Sequence, residues 1–433
     1  MTTTSFTTTT KAQEYIALED QHGAHNYHPL PVVLAEGRGC YVWDVDGKQY
    51  YDFLSAYSAV NQGHCHPRII SKMVEQSQKL TLTSRAFHND QLGVYEKYVT
   101  DYFGFDKVLP MNTGAEAVET AIKICRKWGY EVKGIPENQA RIIVCGKNFH
   151  GRTVTIISFS SDSGARDNFG PYTPGFESVP YGDVEAMRRA IGNDPATIAG
   201  VLVEPIQGEA GVFVPEDGYL AAVAEACKEN NVLFIADEIQ TGVARTGALL
   251  RICGDCTCTK TCERQPATYL RPDILILGKA LSGGAYPVSA VLADNAVMDV
   301  IQPGQHGSTF GGNPVACAVA MEALQVVTDE QLILNARTLG TLFRAEMQKL
   351  VDAYPALLKL VRGKGLLNAL VINDSPESDT AWNFCLALAE GGLLAKPTHG
   401  NIIRFAPPLV ISEDQLLEAC AIIGRVVKSM AEA

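Results

Sequence analysis

Val232-Leu233-Phe234-Ile235-Ala236 runs straight into Asp237-Glu238, and Ile274-Leu275-Ile276-Leu277 runs into Gly278-Lys279. Each is a continuous apolar run of strand length, without polar alternation. Such runs suit strands buried on both faces, as in a parallel sheet covered by helices. The chain around them keeps the same rhythm. Residues 141–145, 153–159 and 200–204 are further apolar runs, and residues 114–127, 183–191 and 218–230 carry helical patterns between them. This alternation predicts βα units and a mainly parallel sheet. Ligands of such sheets bind beyond the carboxyl ends of the strands, so the polar residues that follow each run are where chemistry is sought.

Two of those ends carry an amine, Lys279, and a carboxylate, Asp237. Either alone reads as a surface charge where a strand emerges. Together they suit a ligand with a carbonyl for the amine to condense with and a basic ring nitrogen for the carboxylate to keep protonated. Asn112-Thr113-Gly114-Ala115-Glu116-Ala117 opens an amphipathic helix whose first N–H groups favour an anion. Gly307-Ser308-Thr309-Phe310-Gly311-Gly312-Asn313-Pro314 is a second small-residue loop rich in donors. In Phe149-His150-Gly151-Arg152, the aromatic ring can stack on a planar ligand or pack in the core, and the Arg can fork onto a carboxylate.

The bulk properties narrow the class. The 433 residues are 46% hydrophobic and 19% charged, with a net charge of −12, which suits a soluble globular protein. An acidic balance argues against nucleic acid or an anionic membrane as partner. No run of about 18 apolar residues suggests a spanning helix. Met1 to Thr10 is rich in Ser and Thr and has no basic residue before Lys11. It is expected to be a disordered tail, and the protein to be cytoplasmic rather than mitochondrial. Gly37-Arg38-Gly39, the alternation at 40–44 and the Asp46-Gly47 turn read as a small β-meander. The expected division is 1–66 (tail and meander), 67–313 (large ligand-binding domain) and 314–433 (small α+β domain with strands near 365–372 and 402–406).

Taken together, these segments resemble the class III (ornithine-type) aminotransferases of pyridoxal-phosphate fold type I. The most specific stretches are Phe234-Ile235-Ala236-Asp237-Glu238-Ile239-Gln240-Thr241-Gly242 and Gly278-Lys279-Ala280-Leu281-Ser282-Gly283-Gly284. The resemblance runs over residues 24–427. It implies an α/β fold: a large domain with a mainly parallel seven-stranded sheet covered by helices, and a small α+β domain drawn from both termini. It implies pyridoxal 5'-phosphate as cofactor, with Lys279 as the Schiff-base lysine and proton shuttle. Asp237 would pair with the pyridine nitrogen and Gln240 with the ring hydroxyl, while Phe149 stacks on the ring. Gly114 and Ala115 would bind the phosphate, and Ser308 and Thr309 would belong to the phosphate loops, Thr309 reaching the neighbouring subunit's cofactor. A homodimer with shared sites follows, a higher oligomer remaining open.

Within the class, residues 23–31, 55–64 and 396–400 are similar to members that act on ornithine. That implies transfer of the terminal amine of L-ornithine to 2-oxoglutarate, giving glutamate 5-semialdehyde and glutamate. N-acetylornithine or 4-aminobutyrate is the alternative amine within the class. Arg404 would clamp the glutamate α-carboxylate and Arg152 its distal carboxylate. Tyr27 would hold the far end of ornithine. Glu209, by itself a solvated loop charge, would pair with Arg404 when ornithine binds and release it for glutamate, with Tyr57 gating the exchange.

The chain departs from the family between Gly247 and Asp273, where it is longer. The additional stretch carries Cys253, Cys256, Cys258 and Cys262 within ten residues. A zinc site, one or two reversible disulfides making the loop a redox sensor or the target of a thioredoxin-like reductant, and an incidental insertion are the three readings. No metal is expected elsewhere. Cys125, Cys145, Cys227, Cys317, Cys385 and Cys420 sit singly among apolar residues and read as small buried hydrophobes.

Overall fold

In the computed structural model, which describes residues 10–254, 256 and 270–432, a seven-stranded sheet forms the centre. Its order in space is Lys107–Met111, Ser289–Ala293, Ile274–Leu277, Leu233–Asp237, Ile198–Val203, Arg141–Cys145, Phe176–Val179. Six strands run the same way; Ser289–Ala293 runs against both its neighbours. Every residue of Ile198–Val203, Leu233–Asp237 and Ile274–Leu277 is buried, as the unbroken apolar runs require.

Successive side chains alternate between two cores. Ile142, Val144, Leu233, Ile235, Ile274 and Ile276 pack with Val118, Ile122 and Trp128 of the helix Gly114–Trp128. Ile143, Cys145, Phe234, Leu275 and Leu277 face the other way, onto a larger core that includes helix Pro314–Asp329. The six singly placed cysteines are all buried.

Two smaller sheets flank this unit. Leu34–Arg38, Tyr41–Asp44 and Gln49–Asp52 form the expected meander, and Leu393–Leu394 adds to its edge in parallel. Leu358–Lys364, Leu367–Ile372, Ile402–Phe405 and Lys396–His399 form an antiparallel sheet beside helices Leu332–Ala353 and Glu413–Ala431.

Two expectations change. Residues 153–159 do not form a strand; Val154–Ile157 is a short helix. Both edges of Arg141–Cys145 are already paired, with Phe176–Val179 and Ile198–Val203, so the segment cannot add beside the strand it follows. Ile156 and Phe159 instead bury against the core of helix Gly114–Trp128. At the start of the chain, Thr10 caps helix Lys11–His22 in a reciprocal capping box with Gln13. The rest of the tail, residues 1–9, lies outside the described residues.

One buried cation ties the central sheet's loops to the C-terminal region. The Arg245 guanidinium, fully buried, donates to Asn61 Oδ1 at 3.0 Å, Leu366 O at 2.9 Å and Pro407 O at 2.6 Å. Burial pulls its pKa down to about 9. Arg245→Met removes the donors and leaves three buried acceptors empty, at about 1–3 kcal/mol each. A loss of about 3 kcal/mol or more in urea unfolding is expected. An unchanged midpoint would mean that Arg245 is not a keystone.

Candidate active site

Five parallel strands deliver polar groups to one edge of the sheet. Lys107–Met111 leads to the Thr113 cap, Arg141–Cys145 to Phe149 and His150, Ile198–Val203 to Glu204 and Glu209, Leu233–Asp237 ends on Asp237, and Ile274–Leu277 leads to Lys279. Glu204, Asp237, Lys279, His150 and the Gly114 turn line one cavity of about 190 Å³.

Lys279 follows its strand with φ of 45°, in the left-handed region that a side chain enters at a cost of order 1 kcal/mol or more. The turn leaves Lys279 lining the cavity. Loss of water lowers its pKa, against the pull of the Glu209 carboxylate. An amine with a lowered pKa is more often unprotonated, the form that attacks a carbonyl.

Asp237 accepts from Ile239 N–H at 3.0 Å and pairs with His150 Nδ1 at 2.6 Å, both side chains being buried. Burial works against charge on the imidazole, but the Asp237 bond and the charges of Asp237 and Glu204 together raise the His150 pKa. His150 Nε2 has no protein partner. The bond from the His150 ring fixes the Asp237 carboxylate in orientation.

The Gly114–Trp128 helix begins in a capping box. Thr113 Oγ1 accepts from Glu116 N–H, and Glu116 Oε2 accepts from Asn112 and Thr113 N–H at 2.8 and 2.9 Å. The Gly114 and Ala115 N–H groups lie in the turn that faces the cavity. A Cβ on Gly114 would meet Ile239 at 3.0 Å, so glycine is what keeps this cradle open.

Glu209 pairs with the fully buried Arg404 at 2.6 Å, and the same Glu209 oxygen accepts from Gln240 Nε2 at 2.7 Å. Burial opposes its charge, but Arg404 and Lys279 hold the Glu209 pKa down near 2. Gln240 Oε1 is buried without a partner. A Cβ on Gly208 would fall 1.5 Å from that atom, so only glycine lets Gln240 reach Glu209.

The Arg404 guanidinium lies 5.2 Å from the Tyr57 ring centre. Tyr57 sits in a run of four left-handed residues, Ser55–Ser58. Asp52 Oδ1 anchors the run by accepting from Leu54 and Ser55 N–H at 2.8 and 2.9 Å. Four such residues in succession are strained, and the strain presents Tyr57 to the Glu209–Arg404 pair. Tyr27, 69% exposed, is close enough to Tyr57 to raise its pKa, after burial and Glu209.

Phe149, 37% exposed, lines both this cavity and a wider one of about 450 Å³ that opens past Phe213 and Ile402. Arg152 lies 5.6 Å from the Phe149 ring centre and 3.8 Å from Asp162. Ser308 and Thr309 are not in the Lys279 cavity. They line a separate groove with Leu82 and Arg85, where Ser308 Oγ accepts from Asn112 Nδ2 at 3.0 Å.

The family model "Aminotransferase class-III" matches residues 22–427. The chain belongs to the class III aminotransferases. It is 56% identical to a protein of Drosophila ananassae named "Ornithine aminotransferase, mitochondrial", over 97% of this chain and 92% of that one. The crystal structure of an acetylornithine aminotransferase from Elizabethkingia anophelis is 59% identical, with a TM-score of 0.86, and covers 97% of this chain and 100% of that one. An ornithine aminotransferase structure from Toxoplasma gondii ME49 is 47% identical, with a TM-score of 0.92, covering 98% and 96%. The fold is that of the type I pyridoxal-phosphate enzymes, and the protein is a pyridoxal-phosphate-dependent transaminase.

The residues present fit that cofactor. The cavity offers a desolvated amine, a carboxylate backed by a histidine, an unpartnered Gln240 oxygen and an anion cradle that a Cβ would fill. Gln240 makes a further contact, its amide donating to Glu209, so it joins the cofactor pocket to the Glu209–Arg404 pair.

Sequence reasoning missed His150 as a partner of Asp237, and missed Glu204. The signal available for His150 is its place just after the strand Arg141–Cys145. The cysteine stretch is placed only in part. Cys256 O accepts from Arg337 at 2.6 Å, and Ile252 N–H donates to buried Glu238 at 2.6 Å. This end therefore docks on helix Leu332–Ala353, and neither Cys253 nor Cys256 lines the Lys279 cavity. Cys258 and Cys262 lie outside the described residues. Among the described residues no cluster suits a metal ion, and no helix is long and apolar enough to cross a membrane.

Proposed function

We propose that the chain transfers the δ-amino group of L-ornithine to 2-oxoglutarate, alternating two half-reactions at one site. The observation that carries this reading is the Glu209–Arg404 pair at 2.6 Å beside Lys279. It lets one cavity receive two charge patterns. With Glu209 on Arg404, the guanidinium is closed to carboxylates, so ornithine binds by its far end and its terminal amine reaches Lys279. With Glu209 displaced, Arg404 takes the α-carboxylate of glutamate and the α-amine is presented instead. The names of the relatives support the same substrate.

When bound, the cofactor supplies an electron sink for the carbon that loses its proton. Lys279 then holds and returns that proton. Asp237, fixed by His150, keeps the ring nitrogen charged. Gly114 and Ala115 hold the phosphate from this chain, and Thr309, with Ser308 beside it, serves the cofactor of a partner subunit, so a homodimer is the working unit. The separation of the Thr309 groove from the Lys279 cavity supports that assignment. Phe149 stacks on the ring, Arg152 meets the distal carboxylate of glutamate, and Tyr27, beside Tyr57, holds the α-groups of ornithine.

A second reading is N-acetylornithine as amine donor, favoured by the name of the Elizabethkingia relative. A substrate panel with 2-oxoglutarate as acceptor decides between them. Free ornithine is expected to give the cyclised semialdehyde; activity confined to N-acetylornithine would reverse the assignment. Tyr27→Phe is expected to raise KM for ornithine about tenfold, one hydrogen bond to a charged group, with glutamate changed little. Equal losses for both substrates would remove Tyr27 from its role.

A further inference from the structure

Glu204 is a buried carboxylate that none of the roles above uses. It directly follows the strand Ile198–Val203 and lines the Lys279 cavity, with 7% of its surface exposed. Its Oε1 accepts from the Phe149 N–H at 2.9 Å. The groups that face it come from four strand ends: His150 and Cys145, Asp237, Lys279, and Tyr181. Tyr181 Oη donates to the Glu204 main-chain carbonyl at 3.2 Å, which pins the residue from behind.

We propose that Glu204 is a positioning residue for the cofactor: its side chain fixes the main chain beneath the Phe149 ring, and by holding or releasing a proton it sets the net charge of the corner it shares with His150 and Asp237. Two carboxylates and one imidazole share this corner. When Glu204 is ionised, the corner carries one net negative charge if His150 is protonated, and proton affinity throughout the cavity is raised. When Glu204 is neutral, Asp237 and His150 balance each other. Burial, partly offset by His150, pushes its pKa up to about 7, so both forms exist near neutrality. The hydrogen bond to Phe149 N–H survives either state, because a neutral carboxyl oxygen still accepts. Orientation is thus separated from charge. The proposal rests on Asp237 serving the ring nitrogen.

The test uses Glu204→Gln and Glu204→Ala. Gln keeps an acceptor for Phe149 and removes the charge; Ala removes both. In the holoenzyme, the pH titration of the cofactor's visible absorbance is expected to move about one unit toward lower pH in Glu204→Gln, a tenfold fall in proton affinity. Cofactor affinity, measured by titrating pyridoxal phosphate into apoprotein, is expected to stay near the parent value in Glu204→Gln and to weaken about tenfold in Glu204→Ala.

Thermal melting of the apoprotein gives a readout without cofactor. The Glu204 pKa is raised on folding, so its contribution to stability is greatest below its unfolded value and is lost as pH rises through about 7. Glu204→Gln is therefore expected to melt higher than the parent, by a margin that widens from pH 5 to about pH 7 and then holds to pH 8.5. An unmoved absorbance titration together with a pH-independent melting difference overturns the proposal. So does equal loss of cofactor affinity in the Gln and Ala variants. Should Asp237→Ala keep the parent's cofactor affinity and spectrum, the ring-nitrogen reading falls, and apoprotein melting alone then decides on Glu204.

Discussion

Lys279→Ala is expected to remove the visible absorbance of covalently held cofactor and to lower turnover by at least about 10⁴-fold, the upper range for a positioned acid–base group. The size follows from two losses at one atom. The amine that condenses with the carbonyl is gone, and so is the base that moves the proton in each half-reaction. The fold should tolerate the change. Lys279 is held in a left-handed conformation and its ammonium is desolvated, both of which cost stability. Its melting temperature is therefore expected to match or exceed that of the parent. Single-turnover absorbance and calorimetry check the two halves. A variant with full activity would remove Lys279 from the centre of the scheme.

Glu209→Ala is the second large effect. Arg404 is 1% exposed, and Glu209 is its only ion-pair partner among the described residues. Removing one member of a buried, hydrogen-bonded charge pair costs about 2–5 kcal/mol, much of it from the charge left unpaired. The freed Arg404 should then capture the nearest available carboxylate, including that of ornithine. Preference for the δ-amine over the α-amine is expected to fall by roughly 10²-fold, the value of about 2.7 kcal/mol. The glutamate half-reaction, which already needs Arg404 open, should stay within a few-fold of the parent. Product trapping separates the cyclised semialdehyde from the 2-oxo acid formed by α-transfer. If the ratio of the two is unchanged, Glu209 is not the switch.

The sheet was legible because its strands are short, continuous and apolar. Arg141–Cys145 and Ile274–Leu277 appear in the structure with the boundaries the sequence suggests. Residues 153–159 show where that reasoning runs out. An apolar run of this length has the same local signal whether it enters a sheet or covers one. Whether the neighbouring edge is already paired decides, and no window of sequence contains that information. Ser289–Ala293 is the converse case: a buried strand whose direction depends on the turn before it. Lys279 and Asp237 were found because they stand at the ends of recognisable strands. Glu204 also stands at a strand end, but nothing in its local sequence tells a buried carboxylate from an exposed one.

The sequence by itself determined the alternation of strands and helices, the edge of the sheet where chemistry would gather, and, through its resemblance, the class of cofactor. Those features follow from local periodicity and from residues within a few positions of one another. The tertiary structure alone decided which groups meet: His150 with Asp237 across 87 residues, Gln240 with Glu209 across 31, and Arg404 with Glu209 across 195. These contacts depend on strand order, and strand order is fixed by how two faces of one sheet are buried together. So Lys279 could be found from its own neighbourhood, whereas its lowered pKa is set by burial and by Glu209, Arg404, Asp237 and Glu204, all brought to it from elsewhere in the chain.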